Sequence, residues 1–182
     1  MPELEVTSSQ DLWAWFALNH AQTESVRLVT WKAAHPDKYV SRDDVLDALL
    51  AHGWIDGRRF KVDEDRTAQL ISPRQQQAWS QSYKDRVSAL RKAGQMHAAG
   101  EAAVAAGLQS GLWNFFDDVD ALIVPDDMAK SMDLKKWDSL APSYRRNVLR
   151  WIKLAKTDAP RANRIAAAVK ATANGEKIPQ MY

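Results

Sequence analysis

The chain has 182 residues, of which 46% are hydrophobic and 26% are charged. This composition is typical of a folded globular protein and excludes the disordered, collagen-like and low-complexity classes. Cysteine is absent, which excludes disulfides, thiol nucleophiles and thiolate metal sites. The net charge of +2 is too small to indicate a nucleic-acid partner by itself.

The first 113 residues predict a mixture of helices and strands. An apolar stripe that follows Ser8 or Ser9 indicates a first helix, and Ser41 with Asp44 resembles a capping box at the start of a second helix, which ends at Gly53. β-Branched and aromatic residues favour a strand over 25–32, and alternation favours a β-hairpin over 54–62 and 66–72. Helical spacing predicts two further helices over 76–93 and 97–110.

The rest of the chain predicts helices alone. Residues 114–127 hold five Asp around a short apolar run and are interpreted as a linker. Pro142 begins a helix, and a last helix begins near Asp158 and ends at Asn174-Gly175. We therefore predict an α+β fold with a small antiparallel sheet of about three strands covered by helices, followed by a C-terminal helical hairpin. The predicted domains are an α+β domain over 1–113, a linker over 114–127 and a helical C-terminal module over 128–182, packed on the first domain.

Charged and aromatic residues at the ends of the predicted elements form the candidate ligand site. The string from Gly53 to Gly57 contains Trp54 and Asp56, an apolar wall beside one fixed charge, although it also fits a plain helix end leading into a strand. Arg74 follows a strand and precedes a helix, where a guanidinium can hold a carboxylate or a phosphate, or can bind a carbonyl or Asp56. The predicted ligand-binding residues are Trp54, Asp56, Arg58, Arg74, Trp79 and Ser80.

A basic segment offers an alternative function. Residues 143–170 contain eight basic residues and one acidic residue, a net charge of +7, which leaves −5 for the rest of the chain. Such a segment can neutralise phosphates of a nucleic acid, or it can pair with the protein's own acidic residues. The residues of this anion-binding alternative are Arg146, Arg150, Lys153, Arg161 and Arg164.

No motif indicates catalysis, a cofactor or a metal. Ser80 lies outside any nucleophile elbow, and the four histidines (His20, His35, His52 and His97) have no zinc-binding spacing. The Asp cluster lacks the pattern of a calcium loop, and no glycine-rich phosphate loop occurs. We therefore predict no catalytic residue, no cofactor and no metal, and favour a binding protein over an enzyme.

The N-terminal sequence predicts the cellular location. The first five residues are acidic where a signal peptide would be basic, and no apolar run approaches the roughly 20 residues of a membrane span. We therefore expect the protein to be cytoplasmic and to lack a membrane span.

A series of short strings extends from about Trp13 to Gly175. The strings are Gly53-Trp54-Ile55-Asp56, Pro73-Arg74, Trp79-Ser80, the series Val87, Leu90, Gly94, Met96 and Gly100, Gly111-x-Trp113, Pro125-Asp126, Leu140-x-Pro142-Ser143-Tyr144-Arg145-Arg146, Trp151-Ile152, Ala155-Lys156 and Arg164-Ile165. Together they resemble a known family, the YdeI/OmpD-associated or bacteriocin-protection proteins. Two positions depart from the family, since Tyr83 replaces a frequent Asn and Ala51 replaces a frequent Cys.

The resemblance implies a small bacterial αβ domain followed by a helical module. It also implies a role in stress resistance or bacteriocin protection, without an established reaction. The expected partner is an unknown small anionic ligand or a protein, with nucleic acid as the alternative.

Overall fold

A four-stranded sheet organises the first of the two units into which the chain divides, Met1–Asn114 and Phe115–Tyr182. The structure is a computed structural model that describes residues 1–178, so the last four residues of the predicted C-terminal module lie outside the described residues. The strands are β1 (Glu3–Glu5), β2 (Val26–Trp31), β3 (Trp54–Lys61) and β4 (Arg66–Pro73). The helices of this unit are α1 (Ser9–Asn19), α2 (Arg42–Ala51), α3 (Gln81–Lys92) and α4 (Ala98–Gln109).

The sheet has the order β1-β2-β4-β3 and is mixed. The α+β class is confirmed, but the prediction of about three antiparallel strands is wrong, because β1 adds a fourth strand that runs parallel to β2. β1 has three residues with Leu4 as its one apolar side chain, too little alternation to recognise in a sequence. Its parallel pairing of Leu4 with Leu28 also depends on a crossover through α1, which local patterns do not show.

One face of the sheet packs against α1 and α2 and forms the core of this unit. Val26 of β2 and Ile71 of β4 are cross-strand partners, so their side chains lie on the same face, and both are buried. The buried helix residues packed with them are Leu12, Phe16, Val45, Leu46 and Leu49. The apolar stripes that the sequence predicts for α1 and α2 therefore face the core.

The beginning of α2 is fixed by its cap. The Ser41 side chain accepts a hydrogen bond from the Asp44 backbone N–H at 3.1 Å, and Asp44 Oδ2 accepts from the Ser41 backbone N–H at 3.3 Å. This reciprocal pair is the predicted capping box, which is confirmed. It places Arg42 at the first helical position of α2.

The helix predicted over 76–93 begins later, at Gln81, because the residues before it bond elsewhere. The Arg74 guanidinium donates to the backbone oxygens of Gln77 (3.2 Å) and Ala78 (2.9 Å), and the Trp79 N–H donates to the Leu112 oxygen at 3.0 Å. The backbone groups of Gln77, Ala78 and Trp79 therefore make hydrogen bonds outside the helix, and α3 begins after them.

The second unit contains helices without a strand among its described residues. Its helices are α5 (Asp117–Asp120), α6 (Asp126–Ala129), α7 (Leu134–Ser139), α8 (Pro142–Lys153) and α9 (Asp158–Asn174). α8 and α9 form the predicted helical hairpin, with Pro142 in the first turn of α8 and Gly175 in the left-handed conformation after α9 (φ +70°).

The segment predicted as a linker, 114–127, includes α5 and the first residues of α6. Phe116 and Val119 are buried there, and α7, which the sequence analysis did not identify, buries Trp137 completely. In the part of the chain that the structure describes, no helix is long and apolar enough to cross a membrane.

Candidate functional site

Asp56 of β3 lies in a hydrogen-bonded network at one end of the core face. The Tyr83 hydroxyl of α3 donates to Asp56 Oδ1, and the Gln69 side-chain amide of β4 donates to Oδ2 at 3.1 Å. Burial, followed by the bond to Asp56, raises the pKa of Tyr83. Tyr83 therefore stays protonated at neutral pH and acts as the donor.

Arg74 contacts the rings of Trp79 and Tyr83. Its guanidinium carbon is 3.7 Å from the centroid of the Trp79 ring and 5.5 Å from that of Tyr83, both cation–π contacts. Burial lowers the pKa of Arg74 to about 10, while Tyr83 and Asp56 oppose this shift. Its Nε and Nη1 atoms are buried without a hydrogen-bond partner among the described residues. Among the described residues no ion pair joins Arg74 to Asp56, and each of the two contacts Tyr83.

The other predicted ligand-binding residues lie in the following positions. Trp54 and Trp79 are each 1% exposed, and Trp54 Nε1 donates to the His20 backbone oxygen at 2.9 Å. Arg58 is exposed and lies over the Phe60 ring at 5.4 Å. Ser80 is the N-cap residue of α3, and its hydroxyl contacts that of Ser82 at 3.0 Å. These four residues have structural or surface positions.

An irregularity in β3 changes which residues share the face of Asp56. Asp56 pairs with Ile71 and Arg59 pairs with Gln69, so three steps along β3 match two steps along β4. Such a bulge shifts the alternation by one residue. It places Arg59, rather than Arg58, on the core-facing side of the sheet with Asp56.

A cleft of about 250 Å³ lies on this same face of the sheet, at the edge of the core. Its sheet side includes Leu28, Thr30, Thr67, Gln69 and Arg59, and its other side includes Val40, Arg42 and Val45 at the start of α2. We call this opening the sheet cleft. Gln69 joins it to Asp56, because Gln69 lines the cleft and donates to the Asp56 carboxylate.

The charged side chains that line the sheet cleft are all basic: Lys32, Arg42 and Arg59. The Lys32 ammonium donates to the backbone oxygen of Glu64 at 2.6 Å. Among the described residues, neither Arg42 nor Arg59 makes a side-chain hydrogen bond or an ion pair within 4 Å. Two guanidinium groups are therefore free to bind an anion, while Val40 and Val45 offer apolar surface to its other end.

The sheet cleft has few groups suited to acid–base catalysis. Neither a carboxylate nor a histidine is among the described residues that line it. Across residues 1–178, no group of three or more His, Asp or Glu side chains is arranged to hold a metal ion. The residues present can bind and orient an anion by charge and hydrogen bonding.

The basic residues of the alternative site lie in the second unit, where acidic residues surround several of them. Lys153 is 2.5 Å from Asp118, Arg161 is 2.7 Å from Asp127, and Arg150 is 3.6 Å from Asp120. Arg164 donates to the Trp151 backbone oxygen. Arg146 has no ion pair among the described residues. The acidic partners come from within 114–127, the segment predicted to be a linker.

Arg42, Arg59 and Gln69 were not among the predicted site residues, and neither was Tyr83, which was noted as a departure from the family. Arg42 could have been suspected, because a capping box at Ser41 fixes its position at the start of α2. Arg59 could not have been suspected, because a strand without the bulge would place Arg59 and Asp56 on opposite faces of the sheet.

Comparison with known proteins assigns each unit to a family. Residues 4–103 match the family described as a domain of unknown function, DUF8412. Residues 121–175 match the family described as bacteriocin-protection, YdeI or OmpD-associated, so the resemblance inferred from the sequence is shown for this part. No curated protein and no solved structure matches the chain. The chain therefore belongs to the DUF8412 family, and its residues 121–175 form a domain of the bacteriocin-protection, YdeI or OmpD-associated family.

Proposed function

We propose that the protein is a non-catalytic binding protein that holds a small organic anion in the sheet cleft of its first unit. The observation that supports this most strongly is the pair of guanidinium groups, Arg42 and Arg59, in a cleft with no carboxylate among its described lining residues. A binding role fits a lining without carboxylates or histidines among the described residues better than an enzymatic role does.

The size of the sheet cleft limits the ligand. Its volume of about 250 Å³ lies below the range of roughly 300–1,000 Å³ that is usual for drug-sized ligands. The apolar surface of Leu28, Val40 and Val45 faces the same space as the two guanidinium groups. The ligand class is therefore a compact carboxylate or phosphate ester with an apolar body, rather than a nucleotide.

Titration calorimetry with benzoate and phenyl phosphate tests this function. Wild-type protein should bind at least one of them in a saturable manner, and benzamide, which has nearly the shape of benzoate but no charge, should bind at least tenfold more weakly. The double variant Arg42→Gln, Arg59→Gln should bind the anion at least tenfold more weakly than wild type, since each charge-assisted hydrogen bond contributes about 1.5–3 kcal/mol.

Arg58→Gln is the matched control, because Arg58 is a neighbouring exposed arginine outside the lining of the sheet cleft. It should bind like wild type. Equal binding by the wild type and the double variant, or an absence of saturable binding by the wild type, would contradict the proposal.

A further inference from the structure

Three of the four histidines meet at the ends of three helices. His20 and His52 are the C-cap residues of α1 and α2, and His97 is the N-cap residue of α4. The ring centroids of His20 and His97 are 4.3 Å apart, those of His52 and His97 are 5.1 Å apart, and those of His20 and His52 are 6.1 Å apart. We call these three residues the histidine cluster.

Hydrogen bonds to the backbone fix the proton on each neutral ring. His20 Nδ1 lies 3.0 Å from the Phe16 oxygen and His52 Nδ1 lies 2.8 Å from the Ala48 oxygen, so both nitrogens must donate. His97 Nδ1 instead accepts from the Ala99 backbone N–H at 3.1 Å. The ring of His97 can therefore cap α4 only while Nδ1 is unprotonated.

The surroundings of the histidine cluster disfavour positive charge. His52 is 5% exposed, and its ring stacks on Phe16 at 4.9 Å between centroids. Burial lowers the pKa of His52, and the His97 and His20 imidazoles add to this effect. No carboxylate among the described residues pairs with the cluster. The acidic residues of the surrounding elements have other partners: Asp11 with Thr7 and Ser8, Asp44 with Ser41, Asp43 and Asp47 with Arg86, Glu101 with Arg91, and Asp56 with Tyr83.

The cluster lies where α4 contacts the end of α2 most closely. The His97 backbone N–H donates to the Ala51 oxygen at 3.0 Å. A side chain at Gly100 would clash with that same oxygen, and one at Gly53 would lie 2.7 Å from the Ala99 oxygen. The two backbones are thus in direct contact next to His97.

We propose that the histidine cluster is a proton-sensitive contact that holds the N-terminal end of α4 on the ends of α1 and α2 at neutral pH and releases it on acidification. Protonation of His97 at Nδ1 removes the cap of α4 and places a positive charge at a helix N-terminus, where it is unfavourable. Protonation of a second ring adds repulsion between like charges in a partly buried site.

The direction of the pH dependence follows from His52. Because its pKa is lower in the folded protein than the ordinary value of about 6.5, the unfolded or released state binds more protons as the pH falls below that value. The contact should therefore be complete above about pH 6.5 and weaken below it.

Hydrogen exchange at pH 7.5 and pH 5.5, corrected for the intrinsic exchange rate at each pH, tests this proposal. In the wild type, amides in the first half of α4 should lose about tenfold or more of their protection at pH 5.5. His97→Asn should lose clearly less protection than wild type at pH 5.5, because Asn can accept the same capping bond and has no ionisable ring. His35→Gln is the matched control and should behave like wild type, since His35 lies outside the cluster against Trp31 and Asp65.

Wild-type protection of α4 that changes less than twofold between the two pH values, or an equal loss in His97→Asn, would overturn the proposal. Nuclear magnetic resonance titration of the imidazole rings in the wild type provides a test without any substitution. The His52 ring should titrate below pH 6.5, and a midpoint at or above that value would also overturn the proposal.

Discussion

Asp56 shows how one carboxylate can be held beside a basic cleft without neutralising it. Its two oxygens accept hydrogen bonds from Tyr83 and Gln69 rather than from Arg42 or Arg59. The Gln69 amide, which is 8% exposed, uses its N–H group on Asp56 and also lines the sheet cleft. The carboxylate thus fixes the orientation of the neutral Gln69 amide, and neither of its oxygens pairs with a guanidinium group of the cleft.

We expect Tyr83→Phe to destabilise the first unit by about 1.5–3 kcal/mol, the range for a hydrogen bond to a charged group. The substitution removes the donor to Asp56 Oδ1 and leaves that oxygen without its partner. Urea unfolding measures the change. Tyr39→Phe is the control, because the Tyr39 side chain is 45% exposed and has no hydrogen bond among the described residues; its free energy of unfolding should match that of wild type within about 0.5 kcal/mol. Equal stability of wild type and Tyr83→Phe would contradict this role.

Residue identity alone could predict part of the site. Asp56 and Arg74 were identified as polar residues at the ends of elements, and the structure places both around Tyr83. Trp54 and Trp79 were identified with them, but a buried ring in the core and a ring that lines a cleft have the same sequence pattern. Arg59 was missed because its direction depends on a bulge, whose position is set by pairing with β4.

α2 is the element that connects the two proposed features of the first unit. Its first residue, Arg42, lines the sheet cleft, and its C-cap residue, His52, belongs to the histidine cluster. The buried residues between them fix this helix on the sheet and include Val45 and Leu49. One end of α2 therefore contributes to the proposed anion site, and its other end contributes to the proposed proton-sensitive contact.

Gly100→Ala should weaken the contact between α2 and α4. The added Cβ would clash with the Ala51 backbone oxygen, which cannot move without displacing α2. We expect a loss of about 3 kcal/mol or more in the free energy of unfolding, at the upper end of the usual cost of overpacking. The unfolding midpoint in urea would show this loss, and a variant as stable as wild type would contradict the contact.

Gly94→Ala separates this steric effect from the cost of backbone conformation. Gly94 has a positive φ of +66° but no atom within 4 Å of an added Cβ. Its replacement should therefore cost about 1 kcal/mol, from the left-handed conformation alone. A larger loss than in Gly100→Ala would mean that the close approach of α2 and α4 is not the dominant effect.

Local chemistry predicted the elements that depend on neighbouring residues. The capping box of Ser41 and Asp44, the hairpin of β3 and β4 and the glycine after α9 are confirmed, since each depends on residues within a few positions. β1 and the late beginning of α3 were not predicted. Each depends on a partner far along the chain, Leu28 for Leu4 of β1 and Leu112 for the Trp79 N–H before α3.

At the scale of the whole molecule, the charge asymmetry of the sequence is partly balanced inside the second unit. Lys153, Arg150 and Arg161 pair with Asp118, Asp120 and Asp127. A phosphate would have to compete with these carboxylates for the same cations. The excess of basic residues over 143–170 therefore need not be an exposed surface for nucleic acid.

Titration with duplex and single-stranded DNA and RNA at two salt concentrations tests this interpretation. We expect no micromolar binding at about 0.15 M salt, and little difference between the wild type and a variant that replaces Arg146, Arg150 and Lys153 by glutamine. Micromolar binding that weakens steeply with salt and is lost in the variant would contradict our account and favour the nucleic-acid alternative.

Arg42 and Arg59 are proposed to bind a small organic anion in the sheet cleft. The nuclear magnetic resonance signals of the arginine side chains test this proposal most directly. Protein labelled with ¹⁵N should be titrated with benzoate and, separately, with benzamide, while the Nε–H signals of the arginines are followed. The account predicts saturable shifts of the Arg42 and Arg59 signals with benzoate, little change with benzamide, and no shift of Arg58 with either compound. Shifts confined to arginines outside the sheet cleft, or the same response to both compounds, would contradict it.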